Sequence, residues 1–549
     1  MVLRTLKTSV KAAAIIVVLI LTSSAHALSS NEPNRSAPQG GVFNYNLDAE
    51  PESLHPIMGS DIFSRYVREY LFDTLCENSD LTWDLTPRLA EKWEVSKDGL
   101  TFTFFLRKDA YFHNGENVTA NDVKFSFESV REPKLQALNL LPYFEKFNKV
   151  EVVDKYTIKF TASETYFQNL STLCTSLPIL PKSVYGDINK SVKMQKEAIG
   201  SGPYKLEKYD KAQSITLKKF DKWYGDKTNE LKGYYNFDQI NFKFTKEDNI
   251  MIERLKKGDL DFANMTTEAY KKATTGPIGK NVVFNKVENS QPKAYGFIGM
   301  NFKREIFQDR NTREALAHLL NRELMNKKFY NGWNYLATSP VFVKSEQAPA
   351  NKPIEFNPKK AQELLKKAGW ADTDKNGTLD KIVNGQKVEF KVSLIYSAKD
   401  SEKYWTIFKE DAKKAGIEIE LKLLEWNSFV KAIDDKNFDM MAMGWGGGDV
   451  EDDPKQIWHS SSNGKGGSNY ISYSNPEVDK LIDQARGEMD KGKRRDLFKK
   501  VYGLIADDVP YIFLFNRKFE YYGNSTKIKK TSDTFKYNFG YRSWWAADK

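Results

Sequence analysis

The segment PRLAEKWEVSKDGLTFTFFLRKDAYFHNGENVTANDVKFSFE, residues 87–128, contains two clear local patterns. Residues 101–106 alternate in hydrophobicity after a turn at 98–99, and this period of two predicts a half-buried strand in a hairpin. Thr119, with Asp122 three residues later, predicts the N-cap of a helix. The segment therefore predicts a hairpin followed by a capped helix, and its side chains suggest no chemistry of their own.

Four other stretches carry equally clear patterns. In NPKKAQELLKKAGW, residues 357–370, an asparagine and a proline begin a helix that a glycine ends. The other three are SGPYKLEKYD at 201–210, DRNTREALAHLLNRELM at 309–325 and NPEVDKLIDQARGEMDKGKRRDLFKKVYGLIADDVPYIFLF at 475–515. Together with residues 87–128, they closely resemble the bacterial extracellular solute-binding proteins of the peptide/nickel class, family 5. Members of this family are oligopeptide and dipeptide receptors of ABC transporters.

The resemblance covers nearly the entire chain after its N-terminal segment and implies its domain organisation. It implies an α/β, two-lobed periplasmic-binding-protein fold with a third domain inserted in the first lobe. We expect residues 41–75, 196–289 and 506–549 to form lobe I, residues 76–195 to form the inserted domain II, and residues 290–505 to form lobe III. The length of 549 residues fits two or three domains of ~150 residues or more.

The first 27 residues have the form of a secretory signal peptide. Basic residues precede an apolar run at 12–21, and TSSAHA at 22–27 ends in the small residues of a cleavage site. The run is shorter than the ~20 residues that a membrane-spanning helix needs, although an uncleaved anchor is the alternative. We expect a periplasmic protein that starts at Leu28, with a disordered leader over residues 28–40. No cysteine follows the run directly, so we expect no lipid anchor.

The charge pattern bears on the partners of the chain. The net charge of +10 includes three basic residues of the signal segment, and both signs are well mixed elsewhere. Export argues against a nucleic-acid partner, and dispersed lysines are usually a solvated surface. We expect a monomer without a cofactor. The resemblance implies a peptide ligand and an inner-membrane ABC permease as its partners.

Cys76 and Cys174 are the only cysteines in the chain. In an oxidising compartment, an even number of cysteines favours a disulfide. Two separately buried thiols are the alternative, because sequence spacing does not supply the geometry that a disulfide requires.

The C-terminal half contains a strand, a helix and a second strand in succession. Alternating apolar residues at 388–394 and 417–423 flank a helical pattern at 405–415 that ends at Gly416. This arrangement is a βαβ unit, which predicts a parallel sheet in the C-terminal half.

The strongest candidate for a ligand site is MAMGWGGGDVEDDP, residues 441–454. A strand ends here in the run Gly444, Trp445, Gly446, Gly447, Gly448 and Asp449. Glycines leave backbone groups open to a ligand lying close by, which could pair with them as an added strand. The tryptophan could offer an aromatic face.

The resemblance implies a particular role for Asp449. In oligopeptide and dipeptide receptors, an aspartate a few residues after a Gly-Trp pair binds the α-ammonium group of the ligand. This chain has about one glycine more than the common spacing, so Asp452 and Asp453 remain alternatives to Asp449. A flexible acidic surface loop beside a core tryptophan is the structural alternative.

Three further residues occupy positions that face the cleft in many members of the resembled family. They are Tyr45 in the first strand, Asn301 after the apolar run YGFIGM, and Trp426 after the strand ending at Leu424. Each of them could instead be a core or rim residue.

The run DTDKNGTLD resembles the start of a calcium-binding loop through Asp372, Asp374, Asn376, Gly377 and Asp380. The twelfth position, where a bidentate glutamate should stand, is a valine. We therefore expect a turn before the next strand and no metal site.

The sequence gives little support for an enzyme. The four histidines after the signal segment form no HExxH pair, and no Gly-x-Ser-x-Gly motif is present. Acidic pairs such as Asp452-Asp453 leave a secreted hydrolase of envelope material as an alternative from another class. Within the receptor class, the alternative ligands are a sugar, an opine-like compound or a metal chelate. We expect a non-enzymatic receptor that captures peptides between two lobes.

Overall fold

The computed structural model describes residues 32–58, 61–137, 140–464 and 467–547. The expected signal peptide, residues 1–27, lies outside this range. Among the described residues, no helix combines the length and the apolar character that crossing a bilayer requires.

The strands are β1 (Val42–Leu47), β2 (Cys76–Asn78), β3 (Leu85–Pro87), β4 (Ala90–Val95), β5 (Thr101–Leu106), β6 (Phe147–Asp154), β7 (Thr157–Ala162), β8 (Tyr204–Asp210), β9 (Ser214–Lys219), β10 (Gln239–Phe244), β11 (Phe262–Met265), β12 (Val282–Val287), β13 (Tyr295–Met300), β14 (Asn334–Leu336), β15 (Asp380–Val383), β16 (Gln386–Glu389), β17 (Lys391–Tyr396), β18 (Glu418–Leu423), β19 (Met440–Trp445), β20 (Tyr511–Arg517), β21 (Glu520–Ser525), β22 (Ile528–Lys529) and β23 (Trp545–Ala546).

The α-helices are α1 (Ile62–Leu71), α2 (Ala120–Ser129), α3 (Leu141–Phe144), α4 (Asn169–Thr175), α5 (Lys182–Tyr185), α6 (Ile188–Ser191), α7 (Asp248–Lys257), α8 (Thr267–Thr275), α9 (Arg310–Leu319), α10 (Arg322–Tyr330), α11 (Pro358–Lys367), α12 (Glu402–Lys414), α13 (Trp426–Asp434), α14 (Lys455–Trp458), α15 (Pro476–Gly487) and α16 (Lys491–Asp508).

Lobe I is built on a seven-stranded sheet in the order β12-β21-β11-β1-β10-β9-β8. Strand β1 lies in the middle and pairs in parallel with β10 and β11. Its alternate residues Phe43 and Tyr45 are buried among other aromatic rings, including Phe262 and Trp544. The sheet therefore joins N-terminal, central and C-terminal segments around one aromatic core.

Domain II is built on a four-stranded antiparallel sheet in the order β4-β5-β7-β6. Strand β5 buries Phe102, Phe104 and Leu106, as its alternating sequence predicts. The Asp122 carboxylate accepts hydrogen bonds from the backbone N–H and the hydroxyl of Thr119 at the start of α2. Both local predictions for residues 87–128 are confirmed.

A disulfide joins Cys76 at the start of β2 to Cys174 in α4. Both residues are fully buried, in one apolar core that continues from lobe I into domain II. The disulfide closes a loop that contains the whole four-stranded sheet, and it fixes α4 to the base of domain II.

Lobe III is built on a six-stranded sheet in the order β14-β20-β13-β19-β17-β18. Strands β17 and β18 are parallel and are joined by α12, which confirms the predicted βαβ unit. Strand β19 is also parallel to β17, but β13, β14 and β20 are antiparallel to their neighbours. The predicted parallel sheet is therefore one half of a mixed sheet.

The C-terminal boundary predicted for lobe III is wrong. Residue 505 lies inside α16, and β20 pairs with β13 in the lobe III sheet. The chain returns to lobe I only between β20 and β21, because β21 pairs with β11 and β12. The lobes are thus connected by two segments, residues 288–294 and residues 518–519.

The end of the expected leader is also more ordered than its composition suggested. The Gly40 N–H donates to the Asn236 carbonyl oxygen at 2.8 Å, and the Gln39 amide donates to the Asn236 side chain at 2.7 Å. Gly233 passes so close to Asn34 that a Cβ there would lie 2.5 Å from the Asn34 carbonyl oxygen. Residues 34–40 are therefore held against lobe I, which corrects the expectation of disorder for that part of residues 28–40.

Replacing Cys76 and Cys174 with alanine should destabilise domain II. Loss of a native disulfide typically lowers the free energy of unfolding by ~2–4 kcal/mol, because the unfolded chain gains freedom. Urea denaturation followed by circular dichroism measures this change. A double variant that unfolds at the same urea concentration as the parent would contradict the structural role of the disulfide.

Candidate functional site

A cavity of about 660 Å³ lies where domain II, lobe III and the interlobe connections meet. Domain II contributes Tyr143 and Tyr166 together with residues at the start and end of α4. Lobe III contributes residues 340–347 and the loop that follows β19, and the interlobe connection contributes Lys293. Its volume falls within the ~300–1,000 Å³ typical of small-ligand sites.

The loop after β19, residues 446–453, forms one wall of the cavity, and we call it the acidic loop. Gly446 has open space around it. A Cβ at Gly447 would lie 2.5 Å from the carbonyl oxygen of Pro292, and one at Gly448 would meet the Asp452 carboxylate. These two glycines therefore let the loop pass beside the interlobe connection and fold back on itself.

Asp449 faces the cavity and forms no ion pair with any residue that the structure describes. Its Oδ1 atom accepts a hydrogen bond from the Trp83 indole N–H at 2.6 Å and another from the Val450 N–H at 2.6 Å. Trp83 belongs to domain II, whereas Asp449 belongs to lobe III. The two neutral donors orient the carboxylate by Oδ1, which leaves Oδ2 available to a ligand.

Asp452 is the second carboxylate of the cavity. Its Oδ1 atom accepts a hydrogen bond from the Asp449 N–H at 2.7 Å. The side chain remains accessible from the cavity, but the surrounding protein removes part of its hydration and raises its pKa to about 6. A cation in the cavity would stabilise its charged form.

Asp453 is already neutralised by the protein. Its Oδ2 atom lies 2.8 Å from the Arg486 guanidinium and accepts a hydrogen bond from the Tyr166 hydroxyl at 3.0 Å. Of the three aspartates that the sequence leaves as alternatives, Asp449 and Asp452 thus lack an ion-pair partner among the described residues, and Asp453 has one.

The remaining residues predicted for the site lie elsewhere. Tyr45 is buried in the core of lobe I, where desolvation raises its pKa well above the usual value. Asn301 is buried at the end of β13, and its amide donates to the carbonyl oxygens of Lys436 and Phe438. Trp426 is 55% exposed at the start of α13 and stacks on Phe429. None of the three lines the cavity in the described residues, so their predicted ligand contacts are not supported.

Within the glycine run, the structure separates cavity residues from supporting ones. Trp445, Gly446 and Gly448 line the cavity. Gly444 instead pairs with Gly296 inside the sheet, and Gly447 faces the interlobe connection.

Sequence reasoning missed Gln347, which lines the cavity with 2% of its surface exposed. Its Nε2 atom has no hydrogen-bond partner among the described residues. A buried amide without a partner is costly unless a ligand accepts its hydrogen bond. Residues 340–347 lie outside the named helices and strands, so the sequence carried no periodic signal for this position.

The acidic side chains of the predicted turn at residues 372–380 form ion pairs with a lysine of the same lobe. The carboxylates of Asp372, Asp374 and Asp380 lie within 4.8 Å of one another. The Lys387 ammonium lies 2.7 Å from Asp374 and 3.3 Å from Asp380, on the hairpin of β15 and β16. Lysine thus supplies the positive charge of this cluster.

The geometry defines a class of protein: a two-lobed α/β protein with a cavity between lobes that are joined by two connecting segments. The sequence profile of the bacterial extracellular solute-binding proteins, family 5 (middle region), matches residues 84–468, and the chain belongs to this family. The family consists of substrate-binding proteins.

Individual relatives match over most of their length. The chain is 28% identical to the oligopeptide-binding protein AppA of Bacillus subtilis, over 97% of both chains. It is 25% identical to the dipeptide-binding protein of Escherichia coli, over 81% of this chain and 83% of that protein. The solved structure of AppA in complex with a nonapeptide superposes with a TM-score of 0.69 at 27% identity, covering 93% of this chain and all of the other.

Replacing Gly447 with alanine should disturb the acidic loop, because the added Cβ collides with Pro292. We expect faster hydrogen exchange at residues 449–453 and a lower melting temperature. Gly446→Ala is the matched control, since nothing lies within 4 Å of its added carbon. Equal exchange in the two variants would show that the close approach to Pro292 is not needed.

Proposed function

We propose that this protein is a periplasmic receptor that captures peptides between its lobes and delivers them to an inner-membrane ABC importer. The proposal rests above all on Asp449 and Asp452, two carboxylates without an ion-pair partner among the described residues, on the wall of one cavity. Membership in the family and the peptide-binding names of its relatives support the same function.

A peptide α-ammonium group fits the acidic loop chemically. It carries one positive charge and three donors, and the free Oδ2 of Asp449 and the carboxylate of Asp452 offer acceptors beside each other. Such charge-assisted hydrogen bonds are stronger than neutral ones, particularly where closure of the lobes excludes water. The acidic loop would therefore fix the N-terminus of the ligand.

The rest of the cavity suits a peptide backbone of a few residues. Gly446 is open to close approach by the ligand, and the Gln347 amide can donate to a peptide carbonyl oxygen. Tyr143, which is 47% exposed, and Trp445 offer aromatic surface to side chains. Recognition would thus depend on the backbone and the N-terminus more than on one side-chain sequence.

The same proposal covers location and partners. Residues 1–27 would be removed as a signal peptide, and the mature chain would remain in the periplasm without a lipid anchor. It would act as a monomer. It would deliver its ligand to the permease chemically unchanged.

Mass spectrometry of material released from the natively exported protein tests this function: intact peptides support it, and a sugar, a metal chelate or cleaved fragments would contradict it.

Asp449→Asn should weaken peptide binding by about 10- to 100-fold, because a hydrogen bond to a charged group contributes ~1.5–3 kcal/mol. Calorimetry with a tetrapeptide library measures the change, and N-acetylation of the peptides should have a similar effect on the parent. Asp435→Asn, an exposed change directly after α13, is the control. Undiminished binding by Asp449→Asn would remove that residue from the site.

Peptide affinity should fall as the pH drops from 7 to 5. Asp452 has a pKa of about 6, and a bound ammonium favours its charged form, so binding below that pKa must displace a proton. The α-ammonium group, with a pKa of ~7.7–8, stays charged over this range. The dissociation constant should therefore rise by at most about tenfold per pH unit, and Asp452→Asn should flatten the profile. An unchanged profile in that variant would rule out this linkage.

A further inference from the structure

Domain II donates hydrogen bonds to three residues of the acidic loop: Asp449, Glu451 and Asp453. The Trp83 indole N–H donates to the Asp449 carboxylate at 2.6 Å, and the Gln168 amide donates to the Glu451 carbonyl oxygen at 2.8 Å. The Tyr166 hydroxyl donates to the Asp453 carboxylate at 3.0 Å. All three donors lie in domain II and all three acceptors lie in lobe III, so these hydrogen bonds exist only while the two are in contact.

Residues 166–168, which we call the interlobe latch, insert into the core of lobe III. Tyr166 is 5% exposed and Phe167 is 8% exposed, although both belong to the chain of domain II. The Phe167 ring lies 5.6 Å from the ring of Phe498, and its N–H donates to the Arg486 carbonyl oxygen at 3.0 Å. This contact buries apolar surface that separation of the lobes would expose to water.

The latch and the acidic loop share the same two arginines. Arg486 forms an ion pair with Asp453 at 2.8 Å, and its guanidinium lies 4.7 Å from the Tyr166 ring. Arg494 forms an ion pair with Glu451 at 2.6 Å, and its guanidinium lies 4.7 Å from the Phe167 ring. The aromatic rings of domain II therefore lie over the two cations that pair with Glu451 and Asp453.

The latch is firmly attached to domain II. Helix α4 begins at Asn169, directly after the latch, and Cys174 in that helix forms the disulfide with Cys76. The Asn169 amide also donates to the Glu164 carbonyl oxygen at 2.9 Å. The helix, the disulfide and this hydrogen bond therefore tie the latch to domain II.

We propose that Tyr166, Phe167 and Gln168 are positioning residues that assemble the ligand site when the cleft closes. The proposal rests on the proposed peptide-binding function. Separation of domain II from lobe III withdraws the Trp83, Tyr166 and Gln168 donors from the acidic loop. The loop then keeps only its contacts within lobe III, and the carboxylates of Asp449 and Asp452 are less firmly placed for the ligand. Closure thus completes the site as well as covering the ligand, and the latch lowers the rate of ligand release.

Phe167→Ala tests this role, because the Phe167 ring does not line the cavity. With a mixed tetrapeptide library as the probe, we expect retained peptides to dissociate about tenfold faster, as for truncation of a buried interface aromatic. Small-angle scattering of the ligand-free variant should show a larger radius of gyration. Phe105→Ala is the control: this phenylalanine lies in β5 of the same domain, half-buried under Lys92. Parent-like dissociation and scattering in Phe167→Ala would overturn the proposal.

A second pair of variants separates positioning from general stability. Tyr166→Phe removes one hydroxyl at the latch, and Tyr209→Phe removes one that donates to Glu50 in lobe I. Combined with Asp449→Asn, Tyr166→Phe should speed peptide dissociation much less than it does alone, because the acidic loop that Tyr166 helps to position through Asp453 has already lost a ligand-binding carboxylate. Additive effects in this cycle would count against positioning.

The two proposals fail in different ways. A parent protein that retains no peptide from the library contradicts the proposed function, while the scattering comparison of the ligand-free proteins still decides whether the latch holds the lobes together. A parent that retains peptides, with Phe167→Ala releasing them at the parental rate, contradicts the latch alone.

Discussion

The buried ammonium group of Lys293 ties together the two segments that connect the lobes, and the geometry of the cavity depends on this contact. It donates to Asn289 on its own segment at 2.8 Å and to Glu520, just after the second segment, at 2.8 Å. Burial lowers its pKa, whereas Glu520 favours its charged form. Since neighbouring Pro292 contacts Gly447, the same short segment guides the chain into the acidic loop. The connection between the lobes and the wall of the ligand site are therefore one continuous piece of structure.

The sequence predicted local elements better than their partners. The predictions of a strand at residues 101–106 and of the βαβ unit from β17 to β18 are confirmed. Both depend on patterns among residues that are close in sequence. Strand β20 was assigned to the wrong lobe because its apolar run, Tyr511–Phe515, is compatible with any buried sheet. Its partner β13 is more than 200 residues distant in sequence, and only that pairing shows which sheet it joins.

For the candidate site too, the sequence predicts local features but not their distant partners. The glycine run and the aspartates after it predict a ligand loop, and the sequence favours Asp449 but leaves Asp452 and Asp453 as alternatives. The three aspartates differ in the structure because Arg486, on α15, neutralises Asp453, whereas the other two have no ion-pair partner in the part of the chain that the structure describes. The sequence did not predict that Gln347 or the domain II residues line the cavity. Their position there depends on how distant parts of the chain pack against each other. Tyr45, inside β1, and Asn301, directly after β13, do not line the cavity because their side chains are buried within the lobes.

The position of the disulfide in domain II also affects the contact between domain II and lobe III. Cys174 lies in the helix that immediately follows the latch, so the covalent bond that stabilises domain II also holds the segment that reaches into lobe III. With the disulfide reduced, that segment would be held to domain II only by the backbone and by packing, and its contact with lobe III would loosen. The covalent bond thereby couples the stability of domain II to the contact between domain II and lobe III.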